Sequence, residues 1–175
     1  MVVKPDFRNR LWTRYATTDG TGVVADANND WGIDLSTPDD YYVEAQAGEV
    51  LIVSRVIIYV NDSSFLADKL GTVTLNAGEG INIIVEQDGV EVEDLTGGVP
   101  MATVGDIAGQ CHDVSIFDGF ASGNDTMSAR YTFSKHGDFI RLTPGDKLIF
   151  RVHGNLAALA DGHFLVEGVY EQIEE

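Results

Sequence analysis

The sequence predicts an all-β fold of the sandwich or barrel class. Short runs of apolar and β-branched residues follow one another from about residue 40, and glycine reaches 19 of the 175 residues. Turn signals separate the runs roughly every 8–15 residues, and almost no stretch keeps a helical period for more than two turns. Many short strands between frequent turns are typical of sandwiches and barrels.

The first strands are predicted from alternation and from β-branched content. Residues 41–46 alternate in polarity, and residues 50–60 (VLIVSRVIIYV) are almost wholly apolar. A run of that composition predicts a long central strand buried on both faces, in which Arg55 needs a carboxylate or the sheet edge. Residues 65–71 (FLADKLG) predict one helical turn that ends at Gly71.

The second half of the chain continues the same pattern. Residues 81–87 and 90–95 flank Asp88-Gly89, a dipeptide typical of two-residue hairpin turns. Residues 99–110 are ambiguous, with a helical turn as one interpretation. Further strands are predicted at 114–117, 127–133, 139–142, 147–153 and 164–170, with a turn at Thr143–Asp146. About eight strands result, in one β-sandwich domain over residues 36–175, preceded by an N-terminal arm and connecting loop over residues 1–35.

Composition excludes several classes of partner. Lys and Arg number 11 against 28 Asp and Glu, which gives a formal charge of −17. So acidic a chain is not expected to bind nucleic acid or an anionic membrane, because both need Lys and Arg. The single cysteine, Cys111, excludes an internal disulfide. The N-terminus lacks the apolar stretch of a signal peptide, so we expect synthesis in a cytoplasm.

The N-terminal segment is a candidate interaction site. Residues 1–18 hold four basic side chains and one acidic one, whereas the rest of the chain is strongly acidic. Aromatic residues mixed with arginines are typical of interfaces. We predict binding to a neighbouring chain through a short helix or an extended arm; the alternative is that the segment packs on its own domain as a first strand. The predicted contact residues are Phe7, Arg8, Arg10, Leu11, Trp12, Arg14 and Tyr15.

Two patterns could hold a metal, although neither is specific. Asp26, Asn28, Asp30 and Asp34 resemble the start of a calcium loop, but Trp31 occupies the position where that loop needs glycine. A solvated loop is therefore the default interpretation, with calcium as the alternative. His153 and His163 could face each other across neighbouring strands. Because no metal-binding motif surrounds any histidine, no metal and no cofactor are expected.

No catalytic constellation stands out in the sequence. Cys111 and His112 are adjacent, so in a strand their side chains point to opposite faces and cannot form a nucleophile–base pair. The carboxylates of Glu91, Glu93 and Asp94 are close in sequence, but 28 acids make such proximity unspecific. The glycine-rich stretches at 78–80 and 96–98 lack the residues of a phosphate-binding loop. We therefore expect that the protein is not an enzyme.

Three stretches together resemble a family of virion structural proteins of tailed bacteriophages. They are SRVIIYVND (54–62), EVEDLTGGVPMATVGDIAGQCHDVSIF (91–117) and NDTMSARYTFSKHGDFIRLTPGDKLIFRVH (124–153). The resemblance covers about residues 40–172, and the run beginning SARYTFSKHGDF is its most specific part. It implies a small β-sandwich of jelly-roll type that acts as a capsid decoration, or cement, protein.

The resemblance also implies a location and partners. The protein would sit on the outside of the capsid and bridge neighbouring subunits of the major capsid protein, and it would associate with itself as a homodimer or homotrimer. The alternative is a spike, fibre or tail-associated module that binds host glycans. That role would use aromatic platforms, for which the candidates are Tyr41, Tyr42, Trp31 and Phe120.

Overall fold

The chain folds as a two-layer sandwich of antiparallel β-sheets. The structure is a computed structural model, and it describes residues 11–20, 39–63, 65–117, 123–133, 139–156 and 158–171. Within these ranges the strands are β1 (Leu11–Tyr15), β2 (Asp39–Glu44), β3 (Leu51–Asp62), β4 (Gly80–Gln87), β5 (Val90–Asp94), β6 (Asp113–Phe117), β7 (Asp125–Thr132), β8 (Ile140–Leu142), β9 (Lys147–His153) and β10 (Asp161–Tyr170), and the helix is α1 (Val104–Gln110). The predicted all-β sandwich is confirmed.

The two sheets differ in size. The six-stranded sheet has the order β1-β10-β3-β7-β6, and β8 also pairs with β3. The four-stranded sheet has the order β2-β9-β4-β5. Every strand pair is antiparallel, although most partners are far apart in the chain.

The hydrophobic core lies between the sheets. Phe150 of β9 and Phe164 of β10 stack across it with ring centroids 4.6 Å apart. Along β3, alternate residues such as Val56 and Ile58 are buried in this core. The residues between them are half-buried, and Tyr59 is 37% exposed. The prediction that this strand is buried on both faces is therefore wrong, because the sandwich has only two layers.

Local sequence signals explain the turns. Asp88 and Gly89 both adopt positive φ angles, 53° and 75°, as the predicted two-residue hairpin between β4 and β5 requires. The turn at Thr143–Asp146 leads into β9, and the Asp146 carboxylate accepts hydrogen bonds from the amide and the hydroxyl of Thr143. The same carboxylate accepts a bond from the amide of Asp88, so one side chain joins the two turns.

The helix lies where the sequence was ambiguous. Thr103 and Asp106 form a reciprocal capping box at the start of α1, which fixes this short helix. Residues 65–71 form a turn instead of the predicted helical turn. Gly71 has a φ of +64°, and a Cβ there would collide with the carboxylate of Asp62. In the described ranges, no helix is long and apolar enough to cross a membrane.

Candidate interaction surfaces

β1 occupies one edge of the six-stranded sheet, where it pairs with β10. Trp12 points into the core and is 6% exposed. It fits there because its partner in the register is Gly168, where a Cβ would meet the indole ring. For residues 11–15, the structure therefore matches the alternative in which the segment packs on its own domain as a first strand.

Arg14 ties β1 to the loop before β3. Its guanidinium donates to a Glu49 carboxylate oxygen at 2.7 Å and to the Tyr170 hydroxyl at 3.3 Å. Burial, the largest single effect, would raise the pKa of Glu49, but the bond and the charge of Arg14 and the bond from the Gln46 amide together lower it. Arg14 is thus engaged inside the domain.

The seven residues of the predicted contact site fall into three groups. Leu11, which is 70% exposed, and Tyr15 lie on the outer face of β1, while Trp12 and Arg14 are held on its inner side. The remaining three, Phe7, Arg8 and Arg10, lie outside the described residues, as does most of the predicted arm.

The outer face of the six-stranded sheet is rich in apolar and aromatic side chains. Its members alternate with core residues along β1, β10, β3, β7, β6 and β8, and the strand registers place them side by side. We call this surface the neutral face; it includes Leu11, Thr13, Tyr15, Ile52, Arg55, Ile57, Tyr59, Asp113, Ser115, Ser128, Arg130, Thr132, Arg141, His163, Leu165, Glu167, Val169 and Glu171.

The six charged residues named on the neutral face form three ion pairs. Arg55 contacts Glu167, as its predicted need for a carboxylate required. Arg130 lies 3.6 Å from Asp113, and Arg141 lies 2.7 Å from Glu171. The formal charge of these six side chains together is therefore zero, in a chain whose formal charge is −17.

Aromatic rings form a row across the neutral face. The ring of His163 lies between Tyr15 and Tyr59, with centroid distances of 5.9 and 5.8 Å. Ile57 and Leu165 are cross-strand partners beside this row, and both are half-buried. Rigid rings next to branched aliphatic side chains are the composition that protein interfaces favour.

The outer face of the four-stranded sheet has the opposite character. Acidic residues outnumber basic ones five to two among its charged members. We call this surface the acidic face; it consists of Asp40, Tyr42, Glu44, Asn82, Ile84, Glu86, Glu91, Asp94, Lys147, Ile149 and Arg151.

Arg151 organises the acidic face. It forms a two-pronged bond to Asp40, with both distances 2.8 Å, and it lies 2.7 Å from Glu91. The bond to Asp40 is the main cause that raises the pKa of Arg151. Ile84 and Ile149 are cross-strand partners on this face, and each is 3% exposed. The acidic face therefore presents charge to solvent and leaves little apolar surface open.

The histidines and the cysteine do not form a reactive group in the described residues. His153 is in the four-stranded sheet and His163 in the six-stranded one, so the two are not on neighbouring strands. His112 accepts a hydrogen bond on Nδ1 from the Thr132 amide at 2.9 Å, which extends the pairing of β6 with β7. Burial raises the pKa of the Cys111 thiol to about 11, so it is a weak nucleophile at neutral pH.

Some of the remaining residues that the sequence singled out have a structural role, and the others lie outside the described ranges. Asp94 accepts bonds from Asn82 and Thr96, which fixes the loop after β5. Tyr41 is buried, and Tyr42 lies under the ammonium of Lys147 at 5.0 Å. The calcium-like residues Asp26, Asn28, Asp30 and Asp34, and the aromatic residues Trp31 and Phe120, lie outside the described ranges. The described ranges contain no group of three or more metal-ligating side chains.

A groove of about 420 Å³ lies between residues 68–75 and residues 102–103. Two of the three threonine hydroxyl groups that line it have partners within the domain. Thr72 donates to Asp62 at 2.8 Å, and Thr103 bonds to Asp106 in the capping box. Both hydroxyl groups therefore serve the fold.

Sequence reasoning missed the neutral face, although a signal for it was present. The run at 50–60 is apolar on both faces, and the structure covers one of them. Comparison with protein-family models, curated proteins and solved structures finds no match. The resemblance to phage virion proteins accordingly stays a prediction.

Proposed function

We propose that this chain is a structural protein of a tailed-bacteriophage virion, a capsid decoration protein without enzymatic activity. It is made in the host cytoplasm and binds the outer surface of the shell, where it bridges neighbouring subunits of the major capsid protein. The observation that carries the proposal is the two-layer slab with two broad outer faces of different charge. A protein that works by contact area needs such faces, since stable interfaces bury about 1,200–2,000 Å² in total.

The strand pairing supports a jelly-roll assignment. β1 pairs with β10 and β3 with β7 in one sheet, while β2 pairs with β9 and β4 with β5 in the other. Each pair thus joins one strand from the first half of the chain to one from the second half, and successive pairs lie in alternate sheets. A jelly roll has this pattern, because it is an antiparallel double strand wound into two sheets. β6 and β8 are additions at the β7 side. Jelly rolls occur in viral capsid domains, and in lectins as well, so the assignment favours the virion role without defining it.

Two kinds of contact fit this role. The acidic face suits a basic surface of the shell, because opposite charges steer association. The basic segment before β1, with Lys4, Arg8 and Arg10, suits an acidic surface of the shell or of a sister subunit. Since Trp12 and Arg14 are engaged within the domain, the proposed anchor narrows to residues 1–10.

Virions produced by the genome that encodes this chain provide the test. Cryo-electron microscopy of purified particles is expected to place the chain on the capsid exterior in hundreds of copies. Particles made without the gene are expected to lose DNA at a lower temperature. Absence of the chain from the particles would refute the proposal, and a few copies at the tail would instead favour the glycan-binding spike or fibre.

Charge reversal tests the anchor. We expect Arg8→Glu together with Arg10→Glu to weaken binding to gene-deleted particles about tenfold or more, because arginines are frequent interface hot spots. Lys69→Glu is a control with a single charge reversal, to be compared with Arg8→Glu alone, since Lys69 is an exposed cation on the loop after β3 and lies far from residue 10 in the chain. Equal loss of binding in both variants would show a general charge effect and would rule out residues 1–10 as the anchor.

A further inference from the structure

We infer that the neutral face is a self-association surface, on which two copies of this chain pack sheet against sheet around a two-fold axis. The inference does not depend on the virion role, because it rests on the isolated chain in solution. Three observations support it, namely the charge of this surface, its apolar content and its area.

The charge distribution selects a second copy as the occupant. Two chains with a formal charge of −17 each repel one another through most of their surfaces. The neutral face is the broad exception, because three cations on it are paired with three anions beside them. A basic partner would instead be drawn to the acidic face, where carboxylates are in excess. The surface that lacks net charge therefore suits a partner of the same sign.

The apolar content of the neutral face is typical of a sheet face that packs against another protein layer. β3 carries large apolar residues on both sides, a composition typical of strands with a layer on each face. The core covers one side. On the other side Ile57 is half-buried and Tyr59 is 37% exposed, and in the same sheet Leu11 is 70% exposed. A second copy would supply the missing layer and would bury the row of rings around His163.

The dimensions of the face fit a stable dimer. The strands β1, β10, β3, β7 and β6 hold 5, 10, 12, 8 and 5 residues, and β8 holds 3. At about 3.3 Å per residue and about 4.8 Å between strands they cover roughly 700 Å². That is close to the ~800 Å² that each partner buries in an interface of standard size. Because a two-fold axis brings the same patch of both copies together, such a face closes the assembly at two chains.

Sedimentation equilibrium and light scattering of the purified full-length chain test the inference. The unmodified chain is expected to show twice the chain mass of 19.0 kDa. Tyr59→Glu, on the middle strand, is expected to weaken the dimer about tenfold or more, because central aromatic residues dominate interface energies. Leu11→Glu, at the sheet edge, is expected to weaken it in the same direction, because it places an unpaired charge in the contact. Leu11→Ser, at the most exposed position of the face, gives the same test without an added charge.

Val92→Glu is the matched control. Val92 is 53% exposed on β5 of the other sheet, so this change adds the same charge outside the neutral face and should leave the mass unchanged. Circular dichroism checks that each variant is folded. A mass of one or three chains for the unmodified protein would overturn the inference. So would a dimer that Leu11→Ser and Tyr59→Glu leave intact, or one that Val92→Glu dissociates.

Salt provides a second, independent readout. If the neutral faces meet, added NaCl screens the repulsion between two acidic chains, and the dissociation constant is expected to fall as salt rises. If the basic segment of one copy bound the acidic face of the other, the same salt would weaken the dimer. A dissociation constant that rises with NaCl therefore overturns the inference and identifies exchange of the arm as the mode of association.

Discussion

At the scale of single residues, buried polar side chains act mainly as clamps on loops. Asp62 is 5% exposed and accepts bonds from the amide and hydroxyl of Thr72. Asp146 is 4% exposed and holds Thr143 and Asp88. Hydrogen bonds of this kind offset the cost of burying a polar group. These acids therefore serve the fold, although their residue type alone could have indicated a catalytic or metal site.

The Asp146 clamp gives a prediction with a defined pH dependence. Burial alone would raise the pKa of Asp146, but the bonds from Thr143 and Asp88 outweigh it, and the pKa is lowered. Its stabilising contribution is therefore present above the ordinary Asp pKa of about 4 and is lost as the pH falls through the lower value in the folded state. We expect Asp146→Ala to destabilise the fold by about 1–3 kcal/mol at neutral pH, and less in acid.

Urea denaturation of the unmodified chain, Asp146→Ala and Asp146→Asn over a pH series measures this effect. Asn keeps an acceptor oxygen but not the charge, so its loss at neutral pH should be the smaller of the two. The difference in the free energy of unfolding between Asp146→Ala and the unmodified chain should shrink in acid. If it stays constant down to strongly acidic pH, the role of the ionised carboxylate is contradicted.

At the scale of elements, β1 is the segment of the predicted N-terminal arm that belongs to the β-sandwich, as an edge strand of the six-stranded sheet. Its inner side holds Trp12 and Arg14, and its outer side adds Leu11 and Tyr15 to the neutral face. Backbone bonds continue beyond it, because Thr17 pairs with Tyr42 of β2 and so links the two sheets at this edge. One short strand thus connects to both sheets at this edge.

The contribution of β1 to the stability of the domain can be measured by replacing Trp12, the residue of β1 that is buried in the core. We expect Trp12→Ala to destabilise the domain by about 3–5 kcal/mol, because a large buried ring leaves a cavity behind. Thr13→Ala is the control. The Thr13 side chain is exposed, so this substitution should destabilise the domain by less than about 1 kcal/mol. Equal urea midpoints for the two variants would show that β1 is not anchored through its indole.

Elements with local hydrogen bonds could be predicted, whereas those with distant partners could not. The β4–β5 hairpin follows from Asp88-Gly89, because few other dipeptides accept two positive φ angles. β1 pairs with β10, about 150 residues away, and no local pattern encodes that register. For the same reason the sequence could not tell which side of β1 holds Trp12 and which holds Leu11. The capping box at Thr103 and Asp106 was a local signal for α1 that the sequence analysis did not use.

At the scale of the whole molecule, the excess of acid is the dominant electrostatic fact. Among the described residues, six cations take part in seven ion pairs, and most are partly exposed. Exposed pairs contribute about 0–1 kcal/mol each. The unpaired carboxylates are more numerous, and their mutual repulsion acts on the entire compact state. The two contributions have opposite salt dependences, so they can be separated.

We expect the melting temperature to rise as NaCl increases from low concentration toward physiological strength. Over this range the Debye length shrinks from about 30 Å to about 8 Å. Salt therefore screens the long-range repulsion between carboxylates more than it weakens the close ion pairs. Calorimetry of the unmodified chain and of Tyr59→Glu separates this effect from self-association. The rise should diminish as the pH approaches the sequence pI of about 4.3, where the net charge vanishes. A melting temperature that falls with salt would mean that the ion pairs outweigh the repulsion, and would remove the electrostatic reason for assigning the neutral face to a second copy.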